Sequence, residues 1–324
     1  MHLLIIGGSD AGISAALRAR ELDPTVESTV LLADAFPNYS ICGLPFFLSG
    51  ETPDWRSLAH RTQFNGIRLL PDHLAETIDA TAKTVQVRDR THQLKVLRYD
   101  RLIVATGAHP VRPDISGLDL PGVHLLHTMD DSFSLDSRLS EHSTRSVAII
   151  GAGYIGLEMA DALTHRRLRV TLIGRTKTVL PTVDEPFGRM LEEELRRHQV
   201  EVVTDRDAIR IELAKGEHCL SVSDSRGQQV TAVVVLVATR VRPTSKLAAA
   251  AGVELGLRDA IRVTRRMQTN FRDIFAAGDC VETWHRLLAK PVYIPLGTTS
   301  HKQGRIDAEN CPGGERRFAG SLGT

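Results

Sequence analysis

The chain is short of cysteine, nearly neutral, and has no long apolar run, and each shortage excludes something. It has 324 residues and 4 cysteines: Cys42, Cys219, Cys280 and Cys311. None stands in a CxxC pair, and their scatter suits neither a disulfide framework nor a zinc site, so no metal is expected. That pattern is expected of a chain kept in a reducing cytoplasm. A formal net charge of +1 gives no electrostatic case for nucleic acid or an anionic membrane surface. No apolar stretch approaches the roughly 20 residues that span a bilayer. The opening MHLLIIGGSDAGISAAL lacks a charged leader, and Asp10 interrupts its apolar run, so it predicts a buried strand and helix, not a signal peptide.

What is present is ordinary in bulk and specific in pattern. The apolar fraction of 42% and charged fraction of 24% are those of a globular protein, and the length suits about two domains. His2 to Ile6 predicts a strand, followed by a glycine turn, a helix over Ala11 to Glu21 and a strand over Thr29 to Ala33. The same order returns at Val147 to Ile150, with a helix over Ile155 to His165 and a strand over Val170 to Ile173. Between the two, Thr84 to Asp100 alternates as antiparallel strands do, and Leu102 to Ala105 is a buried strand ending in Thr106-Gly107. After the second unit come an amphipathic helix over Glu185 to His198 and strands over Glu201 to Val203, Ala208 to Leu213 and Val230 to Ala238. The last third predicts a strand within Asp273 to Gly278 and a helix over Thr298 to Asn310. Two βαβ starts in one chain are more specific than one, because a protein needs two only to hold two dinucleotides.

Gly7, Gly8, Ser9, Asp10, Ala11 and Gly12 match a GxGxxG loop with serine at the middle glycine. Gly7 permits the tight turn, Gly12 lets helix pack on strand, and the helix N-terminus offers N–H groups to a pyrophosphate. Asp34, near the end of the second strand, could take ribose hydroxyls. Gly151, Ala152, Gly153, Tyr154, Ile155 and Gly156 form the unbroken version. An acidic residue after the following strand would select NADH. The chain has Gly174 there, then Arg175, Thr176 and Lys177, which favours the 2′-phosphate of NADPH, with NADH as the alternative. Asn38 to Phe46 reads NYSICGLPF. Pro45 suits a first helical turn, which puts Cys42 at a helix N-terminus, where the dipole stabilises a thiolate. The other three cysteines have no such context and are expected to be packing residues.

These stretches, IIGGSDAG, SICGLPF, LIVATGA, IIGAGYIGLE, IFAAGDC and IPLGTTSHKQGRIDAEN, resemble the pyridine nucleotide-disulfide oxidoreductases. The likeness is to their single-cysteine branch of coenzyme A-disulfide reductases, NADH oxidases and NADH peroxidases. It implies an α/β enzyme of two Rossmann-like domains of the three-layer ββα type. Residues 1–113 and 243–324 would bind FAD, and the inserted residues 114–242 would bind NAD(P). The resemblance assigns Gly7 to Gly12 and Asp34 to the ADP end of FAD. Ala105, Thr106 and Gly107 would line the flavin nucleotide near the domain crossing, and Gly278 and Asp279 would reach its ribityl or pyrophosphate. Glu158 would lie near the nicotinamide, and Cys42 beside the flavin as the redox centre. Arg18 and His301 would touch a coenzyme A substrate. Phe47 stands where dithiol relatives carry a second cysteine.

Three departures matter. Asp10 replaces the histidine of relatives that reduce oxygen or peroxide. Arg240 replaces the glycine before VRP. The sequence stops after FAGSLGT, where relatives continue into a dimerisation domain of roughly a hundred residues, so a homodimer is expected only where that domain exists. The implied function is transfer of hydride from NAD(P)H through FAD to Cys42 and a small disulfide or persulfide, such as coenzyme A disulfide. Two alternatives stand beside it: an NAD(P)H oxidase reducing oxygen, and a truncated flavin-binding sensor or interaction module with little turnover.

Overall fold

A computed structural model describes residues 1–61, 63–214 and 219–323. Among them the helices are α1 (Asp10–Leu22), α2 (Leu44–Ser49), α3 (Met129–Leu139), α4 (Tyr154–His165), α5 (Glu185–Arg197), α6 (Lys246–Ala250) and α7 (Gly297–Asn310). The chain divides into two compact units. Residues 1–39, 59–109 and 241–324 form the first, and residues 40–58 and 110–240 the second.

The first unit is built on a five-stranded parallel sheet. Strands β1 (His2–Ile6), β2 (Glu27–Leu31) and β3 (Ile67–Leu70) form one side, and Arg101–Val104 and Ile274–Ala276 lie beyond β1 on the other. Side chains alternate across a strand, so β1 divides its residues between two cores. Leu3 and Ile5 face α1 (Ile13, Ala15, Ala16, Ala19) and Ala308 of α7. Leu4 and Ile6 face Ile78, Val85 and Val87 of the antiparallel sheet His73–Asp79, Thr84–Asp89, Leu94–Arg98. The layers are therefore helix, parallel sheet and antiparallel sheet, as the ββα pattern predicts.

The second unit repeats the plan. Its parallel sheet runs Glu201–Val203, Arg169–Ile173, Ser146–Ile150, Val234–Val237, Val123–Leu125. Ala148 and Ile150 pack on Ile211, Leu220 and Val222 of an antiparallel sheet. The single strand predicted over Val230 to Ala238 is two. Gln229–Ala232 belongs to the antiparallel sheet and Val234–Val237 to the parallel one; a continuous apolar run cannot show where a chain changes layer. α5 is amphipathic as expected, but it buries Gly188 and Glu192 while Phe187 and Met190 stand 61% and 65% exposed. Glu192 is drawn inward because its carboxylate accepts the Val179 N–H at 3.2 Å.

Asp307 of α7 is fully buried, and neither carboxylate oxygen has a hydrogen-bond partner among the described residues. Burial pushes its carboxyl well above the ordinary aspartate range. A folded-state value above the unfolded one means that the fold binds the extra proton, so stability is full below about pH 4 and declines as pH rises, by up to about 1.4 kcal/mol per unit. Asp307→Asn removes that slope. In urea unfolding at pH 5 and pH 7.5, the wild type is expected to lose stability at the higher pH and the variant to hold it.

Candidate functional site

Both glycine loops are dictated by contacts that exclude a side chain. Gly7 has φ +114°, donates its N–H to the Leu31 carbonyl at 2.8 Å, and leaves 2.0 Å between a built Cβ and the Ala105 oxygen. A Cβ on Gly12 would lie 1.9 Å from the Gly7 oxygen. The turn and the first turn of α1 therefore touch backbone to backbone. Ser9 caps α1 without a side-chain hydrogen bond, so the first-turn N–H groups remain available to an anion. Asp34 is exposed, with one carboxylate oxygen accepting the Phe36 N–H at 2.9 Å. Leu32, directly after β2, is buried against Gly8.

The same unit brings the later motifs to this loop. Thr106 Oγ1 donates to the Thr244 carbonyl at 2.5 Å, and Gly107 (φ +68°) faces open space. Gly278 has φ +88°, and a Cβ on it would sit 3.0 Å from the Ala11 Cβ. Two side chains of α7 fix that turn. Gln303 Oε1 accepts the Gly278 N–H at 2.9 Å, and Ser300 donates to the Asp279 carboxylate at 3.0 Å. Tyr293 adds a hydrogen bond to the Asp279 carbonyl. The sequence motif IPLGTTSHKQGRIDAEN contained Ser300 and Gln303, but only their distant partners reveal their task. Open space at a positive-φ glycine, uncapped N–H groups and a held aspartate suit the pyrophosphate and polyol of FAD. Gly7 to Gly12, Thr106, Gly107 and Asp279 are the residues that would hold it.

Arg18 and His301 have firm protein partners. Arg18 pairs with Glu309 at 2.7 Å and Glu21 at 3.0 Å between α1 and α7, and these two carboxylates raise its pKa. His301 Nδ1 contacts the Gly297 carbonyl at 3.0 Å.

In the second unit Gly151 has φ +119° and donates to the Ile173 carbonyl at 2.8 Å. A Cβ on Gly156 would lie 1.8 Å from the Gly151 oxygen, whereas one on Gly153 meets nothing within 4 Å. Such open space at the start of α4 would admit a diphosphate. Tyr154 is exposed, its hydroxyl 3.3 Å from Thr182 Oγ1, and Ile155 is half-buried. Glu158 reaches solvent from the second turn of α4, and its partial desolvation raises its carboxyl pKa. Gly174 is buried against Ala152, and Arg175 and Lys177 are exposed. Arg175 makes no ion pair among the described residues, whereas Lys177, after Arg189, helps hold the Glu185 carboxyl low. Arg240 takes an ordinary backbone conformation, its carbonyl accepting the Val111 N–H at 2.7 Å.

Cys42 is also in the second unit. It is the middle residue of the 3-10 turn Ile41–Gly43, which runs directly into α2 with Pro45 in its first turn. The helix expected there is thus a tighter turn followed by six helical residues. Cys42 is exposed, between exposed Ile41 and Phe46. Phe47 is a packing residue, edge-on to Phe133 at 6.1 Å. Cys280 and Cys311 are buried. Burial pushes the Cys280 thiol up to about 11 and the Cys311 thiol well above its ordinary value. Cys219 is half-buried. Among the described residues no group of three or more His, Cys, Asp or Glu could hold a metal ion, and no helix is long and apolar enough to cross a membrane.

Comparison with known proteins agrees with this architecture. The family model for pyridine nucleotide-disulphide oxidoreductases matches residues 1–304. The chain is 35% identical to the CoA-dependent NAD(P)H sulfur oxidoreductase of Pyrococcus furiosus, over 99% of this chain and 72% of that one. It is 29% identical to an NADH oxidase of Methanocaldococcus jannaschii (98% and 71%) and 25% identical to the coenzyme A disulfide reductase of Staphylococcus haemolyticus (99% and 73%). Among solved structures, the NAD-dependent persulfide reductase of A. fulgidus superposes with a TM-score of 0.94 at 33% identity, and reduced CoADR-RHD of Bacillus anthracis with 0.94 at 27%. Each covers 99% of this chain, which spans only 61% and 58% of theirs. An engineered water-forming NADPH oxidase bound to NADPH superposes with a TM-score of 0.93 at 25% identity (99% and 72%). Its substitutions include aspartate to alanine, alanine to arginine and methionine to serine at three successive positions.

The contrast between two glycines tests the second loop. Gly156→Ala forces α4 off its turn and is expected to cost about 3 kcal/mol or more in thermal or urea unfolding. Gly153→Ala meets only open space. Its stability should be unchanged, while NAD(P)H affinity in a fluorescence titration falls about tenfold or more.

Proposed function

The chain belongs to the pyridine nucleotide-disulphide oxidoreductase family, and from that premise we propose that it reduces a small disulfide or persulfide with electrons from NAD(P)H, using Cys42. The observation that carries this is the division among the cysteines. Cys42 presents an exposed sulfur in a turn that opens a helix, while Cys280 and Cys311 are buried and held protonated. FAD, when bound, would supply the two-electron relay between NAD(P)H and sulfur. The protein's own part is nucleophilic. The Cys42 sulfur attacks one sulfur of the substrate disulfide, forms a mixed disulfide and expels a thiolate. Two electrons delivered to that mixed disulfide release the second thiolate and restore Cys42.

The nicotinamide partner in this reading is NADPH. Gly174 removes the carboxylate that would repel a 2′-phosphate, and Arg175 offers a guanidinium that no protein carboxylate claims among the described residues. The run Gly174-Arg175-Thr176 has the same order of small residue, arginine and hydroxyl as the substitutions in the engineered NADPH oxidase. Asp10 stands against a peroxide- or oxygen-reducing role, because it cannot supply the cationic imidazole of such relatives.

Two measurements test the proposal. Mixed anaerobically with NADPH, Cys42→Ser is expected to bleach a bound flavin but to lose disulfide turnover about a hundredfold or more; disulfide turnover that persists in this variant overturns the role of the cysteine. Arg175→Ala is expected to raise KM for NADPH by about tenfold, the worth of one charge-assisted contact, and to leave KM for NADH unchanged.

A further inference from the structure

The second unit has a cavity of about 670 Å³ at the end of its parallel sheet away from the glycine loop. Arg145 stands directly before the strand Ser146–Ile150, and Gly151 directly after it. That strand separates the cavity from the loop by about 17 Å. Arg169 opens the neighbouring strand, its N–H bonding to the Arg145 carbonyl at 3.0 Å. Arg166 and Arg167 follow the last turn of α4. The end of α3 and the residues after it, among them Ser140, Glu141 and Thr144, complete the wall.

Arg145, Arg166, Arg167 and Arg169 all line this cavity, and only Arg166 has its charge met. Arg166 is clamped into the wall: it donates to the Asp136 carboxylate at 2.7 Å, to the Leu48 carbonyl at 2.9 Å and to Ser140 Oγ at 2.8 Å. The acid on the wall, Glu141, is paired with Arg138. Arg145, Arg167 and Arg169 are exposed and make no ion pair among the described residues. The Ser140 hydroxyl accepts from Arg166 and keeps its own hydrogen to donate.

Arg167 adds an independent observation. Its φ is +63°. Its N–H bonds to the Thr164 carbonyl at 2.8 Å, and the Leu168 N–H to the Leu163 carbonyl at 3.1 Å, so Arg167 holds the left-handed position that ends a helix. Glycine is the ordinary residue there, because an L side chain is strained. The helix dipole favours a cation at this end, but His165 and Arg166 already supply basic side chains to it. Unmet cations on neighbouring backbone segments repel one another, and a multiply charged anion removes that repulsion.

We infer that this cavity binds a small anion with two or more linked phosphates, with Arg145, Arg167 and Arg169 as its cationic ligands and Ser140 as a hydroxyl donor. Guanidinium forks suit phosphate oxygens. Several charges spread over separate segments match a chain of phosphates better than a single small anion. The volume admits a ligand the size of a nucleotide. Leu139 and Leu168 are the apolar residues of the wall, so phosphate, not an apolar group, carries recognition. The phosphate chain comes either from an inorganic polyphosphate or from a nucleotide.

The test uses flavin-loaded full chain with saturating NADP⁺, which keeps a phosphate probe out of both glycine loops. Tripolyphosphate, ATP and sulfate are titrated calorimetrically. Tripolyphosphate is expected to bind once per chain, about tenfold or more tighter than sulfate, and to weaken as salt rises. ATP matching or exceeding it assigns the site to nucleotides, and ATP binding about tenfold more weakly assigns it to inorganic polyphosphate. Arg145→Gln and Arg169→Gln should each weaken tripolyphosphate about tenfold. Arg167→Gly should weaken it likewise while raising Tm, because glycine relieves the left-handed turn. An arginine with a merely structural role would move Tm and leave the affinity alone. Flavin reduction by NADPH should be unchanged in all three variants. Tripolyphosphate that binds no better than sulfate, or that binds all three variants as it binds the wild type, overturns the site.

Discussion

The architecture depends on one steric demand made twice: a helix must begin in direct backbone contact with the strand turn before it. Gly12 against the Gly7 carbonyl, and Gly156 against the Gly151 carbonyl, leave less than 2 Å for a Cβ. Gly7 and Gly151 take the positive φ that makes the turn. With the turn and helix locked together, uncapped N–H groups of the first helical turn point along the end of the central strand. That is where the partial positive charge of the helix is greatest. An overall charge of +1 attracts no dinucleotide phosphate at long range, so the attraction has to be local. Four glycines supply it by excluding side chains, at a conformational cost of up to about 1 kcal/mol each.

The first unit carries the device further than the second. There α7 packs on α1 through Gly304, and its polar face, Ser300 and Gln303, is fully engaged in holding the Gly278–Asp279 turn. Gln303 is completely buried and makes a second hydrogen bond, to Thr283 Oγ1 at 3.1 Å. A buried amide satisfied at both ends fixes position more sharply than an apolar side chain, because losing either partner leaves a dry polar atom at about 1–3 kcal/mol. The glycine loop, the Thr106–Gly107 turn and the Gly278–Asp279 turn thus come together from three distant stretches of the sequence.

Much of this was legible in the sequence because it is local. The strand–turn–helix spacing at Gly7 and Gly151, the Pro45 start of α2 and the helix ending at Asn310 each follow from a few neighbouring residues. What escaped was decided by distant partners. The apolar run at Val230 to Ala238 gave no sign that the chain changes sheets near Val233, since both layers demand the same residue types. The moment of α5 was real, yet which face is buried was set by the Val179 N–H that Glu192 reaches, a contact between segments. The resemblance put Arg18 against a coenzyme A substrate, and only the arrival of Glu309 from α7 shows how much of its charge is already met.

The cysteines show how burial sorts chemistry without any change of residue type. Cys280 is enclosed, its thiol donating to the Val104 and Ala277 carbonyls, and its pKa is pushed up to about 11. At neutral pH such a thiol stays protonated, and it is out of reach of a substrate besides. Cys311 is enclosed in the same way, with Asp307 adding like-charge repulsion to the desolvation that raises it. Both behave as small apolar residues. Cys42 differs by placement alone: it is on a 3-10 turn too short to bury it, with exposed Ile41 and Phe46 beside it. In the proposed reduction a nucleophile must meet an outside sulfur, so exposure would be a requirement, and the enclosure of Cys280 and Cys311 would keep them from competing with Cys42. The division follows from the fold, since Cys280 and Cys311 are held within the layered core of the first unit while Cys42 is on a surface turn.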